Sequence, residues 1–306
     1  MPGGHDHAAA LTATGRHRGR LVAVMAISAG IAVAEIAGSV ASGSLVLVAD
    51  AAHMAADAAG VGLAVLAASV AARPASGRAT FGYARAEILA ATVNALLLLG
   101  LAAYIIAQAV QRLADPPPVD SGLMIVFGLV ALAGNGVSVL LLRRGQAESL
   151  NVRGAFLEVA SDTFGALAVI ISGVVVAATG FVQADAIASL AVALLILPRT
   201  WRLLRDAVDV LLEASPRGID LEQVRAHMTG LAGVTDVHDL HAWTITSGLP
   251  VLSAHVVVDP AVLAANQSAA MLDALQDCLR GHFDVVHSTF QLEPASHAEH
   301  EPSVCL

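Results

Sequence analysis

The sequence predicts an all-α membrane domain of six transmembrane helices, followed by a small α+β C-terminal domain of the αββαβ (ferredoxin-like) type. Two observations lead to this fold class. Hydrophobic residues make up 57% and charged residues 13% of the 306-residue chain, and its mean hydropathy is +0.73, which is outside the usual range of soluble domains. Apolar runs long enough to cross a bilayer, about 20 residues each, end by residue 198.

The predicted spans come first in the chain, and an acidic segment follows them. The six spans cover residues 21–41, 45–69, 87–111, 122–142, 155–178 and 182–198. From residue 206 onward there are fourteen acidic residues and three arginines, whereas residues 1–205 hold eleven acidic residues and thirteen arginines. We therefore expect a flexible tail at 1–18, a transmembrane domain at 19–212, a soluble domain at 213–294 and a second flexible tail at 295–306.

The arginines of the membrane half predict its orientation. If the N-terminus lies in the cytoplasm, twelve of these thirteen arginines are cytoplasmic and only Arg112 lies outside. Because positive residues concentrate on the cytoplasmic side of membrane proteins, we expect both termini and the acidic domain in the cytoplasm, with the spans in the cytoplasmic (inner) membrane. The first span is longer than the apolar region of a typical signal peptide, so we expect it to be retained.

Composition and motifs also argue against several classes of function. Cys278 and Cys305 lack the spacing of a disulfide framework or a thiolate metal site. An acidic soluble domain does not suit nucleic acid, whose phosphates need a basic face. Neither an HExxH nor a GxSxG motif occurs, so we expect no enzymatic activity and no organic cofactor.

Ionisable residues lie inside two of the spans, where charge is costly. The second span contains VADAAHMAADAAG, in which Asp50, His53 and Asp57 are three and four residues apart and share one helix face. The fifth contains AFLEVASDTFGA, in which Glu158 and Asp162 are four residues apart. Such groups should face the interior of the helix bundle and have a partner. No arginine within a predicted span can supply a counter-charge.

Three interpretations fit these groups. The acids could be protonated or hydrogen-bonded groups that hold helices together, or the carboxylates and the imidazole could form a proton relay. Alternatively, His53, Asp57, Glu158 and Asp162 could bind one divalent cation, because an imidazole and carboxylates at about 2.0–2.2 Å make a tetrahedral, zinc-like site. The matched spacing and the missing arginine favour the cation.

Four segments resemble the cation diffusion facilitator family, particularly its bacterial zinc, cobalt and cadmium exporters. They are SLVLVADAAHMAADAAG, TFGYARAEILAATVNALLLL, NVRGAFLEVASDTFGALAVIISG and VHDLHAWTITSGLPVLSAHVVV, and the resemblance runs from about residue 20 to 293. It implies a homodimer that exports a divalent cation, zinc first, in exchange for protons by alternating access. It also implies that His53, Asp57, Glu158 and Asp162 form the transport site.

One residue departs from the family pattern. Many zinc-handling members carry histidine where this chain has Glu158. An extra oxygen ligand makes the site harder, and could widen its range toward other divalent metals. Export of cobalt, cadmium, manganese or iron is therefore the alternative to zinc, and a membrane metal sensor is a further alternative.

The other polar residues of the spans support less specific expectations. Glu35 and Asp185 could flank the ion path or sit at a water-filled mouth, and we favour the mouth. Asn94 and Asn135 are expected to form interhelical hydrogen bonds. Asp50 could relay protons or hydrogen-bond to the ligands. The loop AARPASGRATFGYARAE between the second and third spans has no His or Asp, so we expect no metal site there.

The soluble domain contains five predicted elements. IDLEQVRAHMTGL and NQSAAMLDALQDCLRGHF have helical periodicity, and VTDVHDLHAWTIT, PVLSAHVVVD and DVVHSTFQLE are strand candidates. The resemblance implies that His238, His255 and His287, one on each strand, bind a regulatory metal at the dimer interface. His241 and Glu293 are further candidates.

Both tails contain histidine pairs, namely His5 with His7 and His297 with His300. Short His-containing tracts can capture metal weakly. Because each tail has only two histidines, we expect solvated tails.

Overall fold

The computed structural model describes residues 7–143, 150–264 and 267–300, and for residues 7–18, 150 and 151 only the backbone. The elements in chain order are α1 (His7–Ser42), α2 (Leu45–Ala71), α3 (Ala86–Ala114), α4 (Ser121–Leu142), α5 (Leu150–Thr179), α6 (Gln183–Leu211), α7 (Leu221–Thr229), β1 (Val234–Thr244), β2 (Pro250–Val258), α8 (Pro260–Ala264), α9 (Ser268–Phe283), β3 (His287–Glu293) and α10 (Ala295–Ala298).

Six helices within the described residues, α1 to α6, are long and apolar enough to cross a membrane, which confirms the predicted spans. Local chemistry sets several of their ends. Gly43 and Gly180, at φ 70° each, follow α1 and α5, in the left-handed conformation that glycine adopts most easily after a helix. Asp120 precedes α4, and its carboxylate accepts a hydrogen bond from the Leu123 N–H at 3.0 Å, as an N-cap residue does.

The sixth span is longer than predicted. We expected it to end at Pro198, because proline lacks a backbone N–H and usually ends a helix. Helix α6 instead continues through Pro198 to Leu211, as membrane helices can when other groups satisfy the freed backbone atoms. The sixth helix therefore contains Arg199, which the predicted span excluded.

The ends of the chain differ from the two predicted flexible tails. Helix α1 begins at His7, so residues 7–18 of the first predicted tail are helical. The local sequence is alanine-rich, and alanine is the strongest helix former. Residues 295–298, at the start of the second predicted tail, form helix α10. The remaining parts of these predicted tails, 1–6 with His5 and 301–306 with Cys305, lie outside the described residues.

The described residues fall into two compact units. The first takes in residues from 1–63 and 93–203, and the second residues from 64–92 and 204–306. In the first unit, glycines let helices α4 and α5 approach closely. A Cβ added at Gly128 would lie only 2.8 Å from the Ile170 Cγ1. A Cβ added at Gly173 would lie 2.9 Å from the Ile125 Cγ1. Close packing of this kind is typical of membrane helices.

The C-terminal part of the second unit is the predicted αββαβ domain. Its three-stranded sheet has the order β1-β2-β3, with β1 and β2 antiparallel and β2 and β3 parallel. Helices α7 and α9 pack on one face of this sheet, where Val237, Leu252 and Val256 are buried against Leu275 and other apolar side chains. Because successive strand residues point to opposite faces, the side chains next to these residues point to the other face.

Candidate metal sites

Helices α2 and α5 bring three of the four predicted transport ligands together. The His53 Nε2 lies 3.4 Å from the Asp57 Oδ2, one turn along the same helix. It also lies 3.9 Å from the Asp162 Oδ1 on α5. The side chains of His53 and Asp162 are 13% and 7% exposed, so water has little access to either.

These three side chains line one cavity. Its volume is about 420 Å³, and its other polar lining residues include Asn94 and Arg199. The His53 Nδ1 and the Asp162 Oδ1 are buried, and neither has a hydrogen-bond partner among the described residues. Buried polar atoms are almost always paired. A cation bound between the His53 Nε2 and these carboxylates would satisfy the Asp162 Oδ1.

Glu158 occupies a different environment from the other three. Its side chain is 35% exposed, and its Oε2 lies 3.5 Å from the Arg199 Nη2. The expectation that no arginine within a span supplies a counter-charge is therefore wrong, because α6 extends past Pro198 and carries Arg199 to this carboxylate. Among the described residues, neither the four predicted ligands nor any three of them form a set whose ligand atoms all lie within 4.8 Å of one another.

Two other acidic groups lie in the interior near this cavity. Glu35 on α1 is 0% exposed and Asp50 on α2 is 2% exposed, and Asp50 lines the cavity. Asp50 fits there because α5 has Gly165 opposite it, where an added Cβ would lie 2.3 Å from the Asp50 Oδ1. The preferred placement of Glu35 at a water-filled mouth is wrong, since the residue is fully enclosed.

The two asparagines differ from expectation in one respect. The Oδ1 atoms of Asn94 and Asn135 are buried and have no hydrogen-bond partner among the described residues. The interhelical hydrogen bonds predicted for these side chains are therefore not made through the carbonyl oxygens.

Asp185 at the start of α6 caps the N-terminus of another helix, α2, through its side chain. Its carboxylate accepts hydrogen bonds from the Ser44 Oγ at 2.6 Å, the Leu45 N–H at 2.8 Å and the Val46 N–H at 3.3 Å. The Arg112 Nη1 of α3 lies 3.6 Å from the same carboxylate. At 2% exposure, Asp185 is not at a water-filled mouth, so that expectation is also wrong. Residue spacing in the sequence does not indicate such a contact between distant helices.

The C-terminal domain holds a second group of possible ligands, which we call the sheet group: His238, His255 and Glu293. One ligand atom from each lies within 4.8 Å of the others. The His238 Nε2 is 2.6 Å from the Glu293 Oε1, and the His255 Nδ1 is 3.9 Å from the Glu293 Oε2. The two imidazoles come together because His238 and His255 are directly paired across β1 and β2.

The sheet group is buried at its base and open at its rim. The Glu293 side chain is 2% exposed, whereas His238 and His255 are 28% and 27% exposed. The Gln291 Nε2 donates to the Glu293 Oε2 at 2.8 Å, which orients the carboxylate. Two imidazoles and a carboxylate suit zinc, cobalt and similar divalent ions.

His287 lies apart from the sheet group. It pairs with Val251, whereas His255 pairs with Gln291 and Val257 with Glu293, so His287 is four residues along the strand from the His255 pair. At about 3.3 Å per residue, one ion cannot reach both. The His287 ring instead packs edge-on against Phe81, with ring centroids 5.7 Å apart.

His241 and His297 lie outside the sheet group. His241 pairs with Ser253 and does not belong to the three-ligand set. The His297 Nε2 lies 3.9 Å from the Glu293 Oε2, because helix α10 turns the chain back toward the sheet. The His297 side chain is nevertheless 55% exposed.

Comparison with known proteins confirms the resemblance. The family model for the cation efflux transmembrane domain matches residues 21–212, and the model for the cation efflux protein cytoplasmic domain matches residues 216–295.

Relatives match over nearly the whole chain. The metal cation efflux system protein CzcD of Cupriavidus metallidurans is 41% identical over 95% of this chain and 89% of its own. The zinc transporter ZitB of Escherichia coli is 36% identical over 96% and 93%. The cadmium, cobalt and zinc/H(+)-K(+) antiporter of Bacillus subtilis is 33% identical over 99% and 96%. The family matches and these relatives place the chain in the cation efflux family of multi-pass membrane proteins, which transport metal cations and are not enzymes.

Proposed function

We propose that this protein exports divalent metal ions, with zinc as the main substrate, across the cytoplasmic membrane in exchange for protons. The observation that carries the proposal is the cavity between α2 and α5, where His53, Asp57 and Asp162 meet. The Asp162 Oδ1, which lies 3.9 Å from the His53 Nε2, is buried without a hydrogen-bond partner among the described residues. The name of ZitB supports zinc, and the name of the Bacillus antiporter supports exchange for protons.

The transport site consists of His53, Asp57 and Asp162, with Glu158 as the fourth ligand. Glu158 is paired with Arg199 when no ion is present, and joins the site when a cation arrives. The cation enters from the cytoplasm, and movement of the helices then opens the same site to the outer side. This is alternating access around a single site.

Coupling to protons follows from the chemistry of the ligands. A carboxylate or an imidazole must lose its proton before it binds a metal ion. Proton binding and cation binding are therefore mutually exclusive at these atoms, so that each transported ion is exchanged for protons. His53, Asp57 and Asp162 carry the protons, because each of them must be deprotonated to bind the cation.

Glu158 leaves a second candidate substrate set. Three carboxylates and one imidazole form a harder ligand set than the histidine-containing pattern of many zinc transporters, and ligand type determines selectivity. Cobalt, cadmium, manganese or iron is the alternative cargo. A competition assay with these ions and zinc distinguishes the two cases.

We also propose that the C-terminal domain regulates transport by binding a metal ion through the sheet group. Glu293 takes the role that the family resemblance implied for His287, because its carboxylate reaches both imidazoles. The site is open at its rim, so a second copy of the chain can complete the coordination. The open rim supports a homodimer with this domain at the interface. The arginine distribution supports a cytoplasmic location for both termini.

The test is zinc flux into proteoliposomes with an imposed pH gradient. The gradient should drive zinc movement by the wild type, and either Asp57→Ala or Asp162→Ala should abolish it while the protein stays folded and inserted. Asp120→Asn is the control, because Asp120 is an exposed helix cap on α4. A wild-type rate in either alanine variant would show that the site is wrongly assigned, and a lack of response to the gradient would favour a metal sensor.

A further inference from the structure

Two histidines on the helical side of the C-terminal domain face each other across α7 and α9. His227 is in α7 and His282 is near the end of α9, and both are exposed. Their ring centroids are 4.9 Å apart, with an angle of 46° between the ring planes. This pair is separate from the sheet group, because α7 and α9 cover one face of the sheet and His238 and His255 point to the other.

Both rings are held in the tautomer that a metal ion requires. The His227 Nδ1 lies 2.9 Å from the Gln223 carbonyl oxygen, and the His282 Nδ1 lies 3.0 Å from the Cys278 carbonyl oxygen. A carbonyl oxygen only accepts hydrogen bonds, so each Nδ1 is the donor and each neutral ring keeps its lone pair on Nε2. Metal-bound histidines usually donate their second ring N–H in this way, which fixes the ring orientation.

The surroundings of the pair restrain it and leave room for an ion. Both histidines line an open cavity of about 670 Å³, together with Asp277 and Cys278. The Phe283 ring meets His227 edge to face, with centroids 5.1 Å apart at 86°.

We propose that His227 and His282 form a second metal site in this domain, for a divalent ion of the zinc, cobalt or copper class. Metal–nitrogen bonds of about 2.0 Å bring two Nε2 atoms within about 4 Å of each other, which rings at this spacing reach by small side-chain rotations. Water completes the coordination, since the cavity is open. The inference goes beyond the proposed function and does not depend on the transport site.

The position of this site indicates a regulatory use. The sheet group offers three protein ligands and the His227–His282 site two, so the His227–His282 site fills at a higher metal concentration. An ion held between α7 and α9 joins the two helices that cover the sheet. The domain therefore has one site for low and one for high cytoplasmic metal.

The test is chemical modification of histidines in the full-length protein, purified in detergent and titrated with zinc chloride. Diethyl pyrocarbonate modifies imidazoles that have no bound metal, and peptide mass spectrometry gives the extent at each residue. His227 and His282 should become protected together, with one common midpoint above that of the sheet group. His300 is the matched control and should remain reactive, because it donates the same kind of hydrogen bond, to the Ser296 carbonyl at 2.7 Å, without belonging to a ring pair among the described residues.

Variants distinguish a shared ion from two separate effects. His282→Ala should abolish the protection of His227, and His227→Ala should abolish that of His282. Cys278→Ser and His238→Ala should leave both protected. The proposal is overturned if either histidine is still protected without the other, if Cys278→Ser or His238→Ala removes the protection, or if zinc well above the concentration that protects His238 protects neither.

Discussion

Asp185→Asn should destabilise the membrane domain by about 2–4 kcal/mol, because this carboxylate joins three helices in a place where water cannot replace it. It accepts from the Ser44 hydroxyl at 2.6 Å and from two backbone N–H groups at 2.8 and 3.3 Å, and the Arg112 guanidinium lies 3.6 Å away. Only 2% of the residue is exposed.

The magnitude follows from these contacts. A hydrogen bond to a charged group contributes about 1.5–3 kcal/mol, and loss of one partner of a buried ion pair costs about 3–5 kcal/mol. The Arg112 side chain is 24% exposed, so the ion-pair cost is smaller here. Asparagine keeps one acceptor oxygen, but its NH₂ group then faces a donor. The expected loss therefore lies between one charged hydrogen bond and a fully broken pair, and Asp185→Ala should lose more.

The assay is denaturant unfolding of the purified protein in detergent, with Asp120→Asn as the matched control. Asp120 caps α4 through one hydrogen bond to Leu123 at 3.0 Å and is exposed. Asparagine is as good an N-cap residue as aspartate, so this variant should change the stability by less than about 0.5 kcal/mol. Equal losses of unfolding free energy in the two asparagine variants, or no loss in Asp185→Asn, would refute the argument that burial makes the loss of the Asp185 carboxylate costly.

Three further predictions concern the two metal sites. Glu158→His should shift flux preference toward zinc and away from manganese, because imidazole is a softer ligand than carboxylate, and an unchanged preference in a competition assay would argue against Glu158 as a ligand. Gly165→Ala should impair flux, since the new methyl group would lie 2.3 Å from the Asp50 Oδ1. Gly136→Ala is the control and should leave flux unchanged, because its methyl group would have nothing within 4 Å. Equal effects of the two variants on flux would contradict the close approach of Gly165 to Asp50. Glu293→Gln should weaken zinc binding to the C-terminal domain by about 10-fold or more in calorimetry, and an unchanged affinity in this variant would exclude Glu293 as a ligand. Zinc binding by the wild-type domain should also weaken as the pH falls, because a ligand must lose its proton before it binds a metal ion.

The sequence was sufficient to predict the six spans and the αββαβ order, because hydropathy and periodicity are local signals. No such local signal gives the position at which α6 ends. Pro198 is typical of a helix end in water, but a membrane helix can continue past proline when neighbouring groups satisfy the backbone. The contact between Arg199 and Glu158 depends on that continuation, so it could not be predicted.

The candidate sites show the same limit. Spacing of three and four residues correctly placed His53 and Asp57 on one helix face, next to Asp162 of α5. In the C-terminal domain, alternation along β3 indicates a face but not a position along it. Only the strand register places Glu293, rather than His287, beside His255.

The ion pair between Arg199 and Glu158 gives this carboxylate a positive charge of the protein's own before any metal arrives. An ion that binds Glu158, as we propose, must displace a guanidinium at 3.5 Å, and the electrostatic gain is a difference between two attractions. A sodium or potassium ion would exchange one unit charge for another and gain little. A divalent ion brings twice the charge, so the tethered arginine favours divalent over monovalent cargo at this ligand.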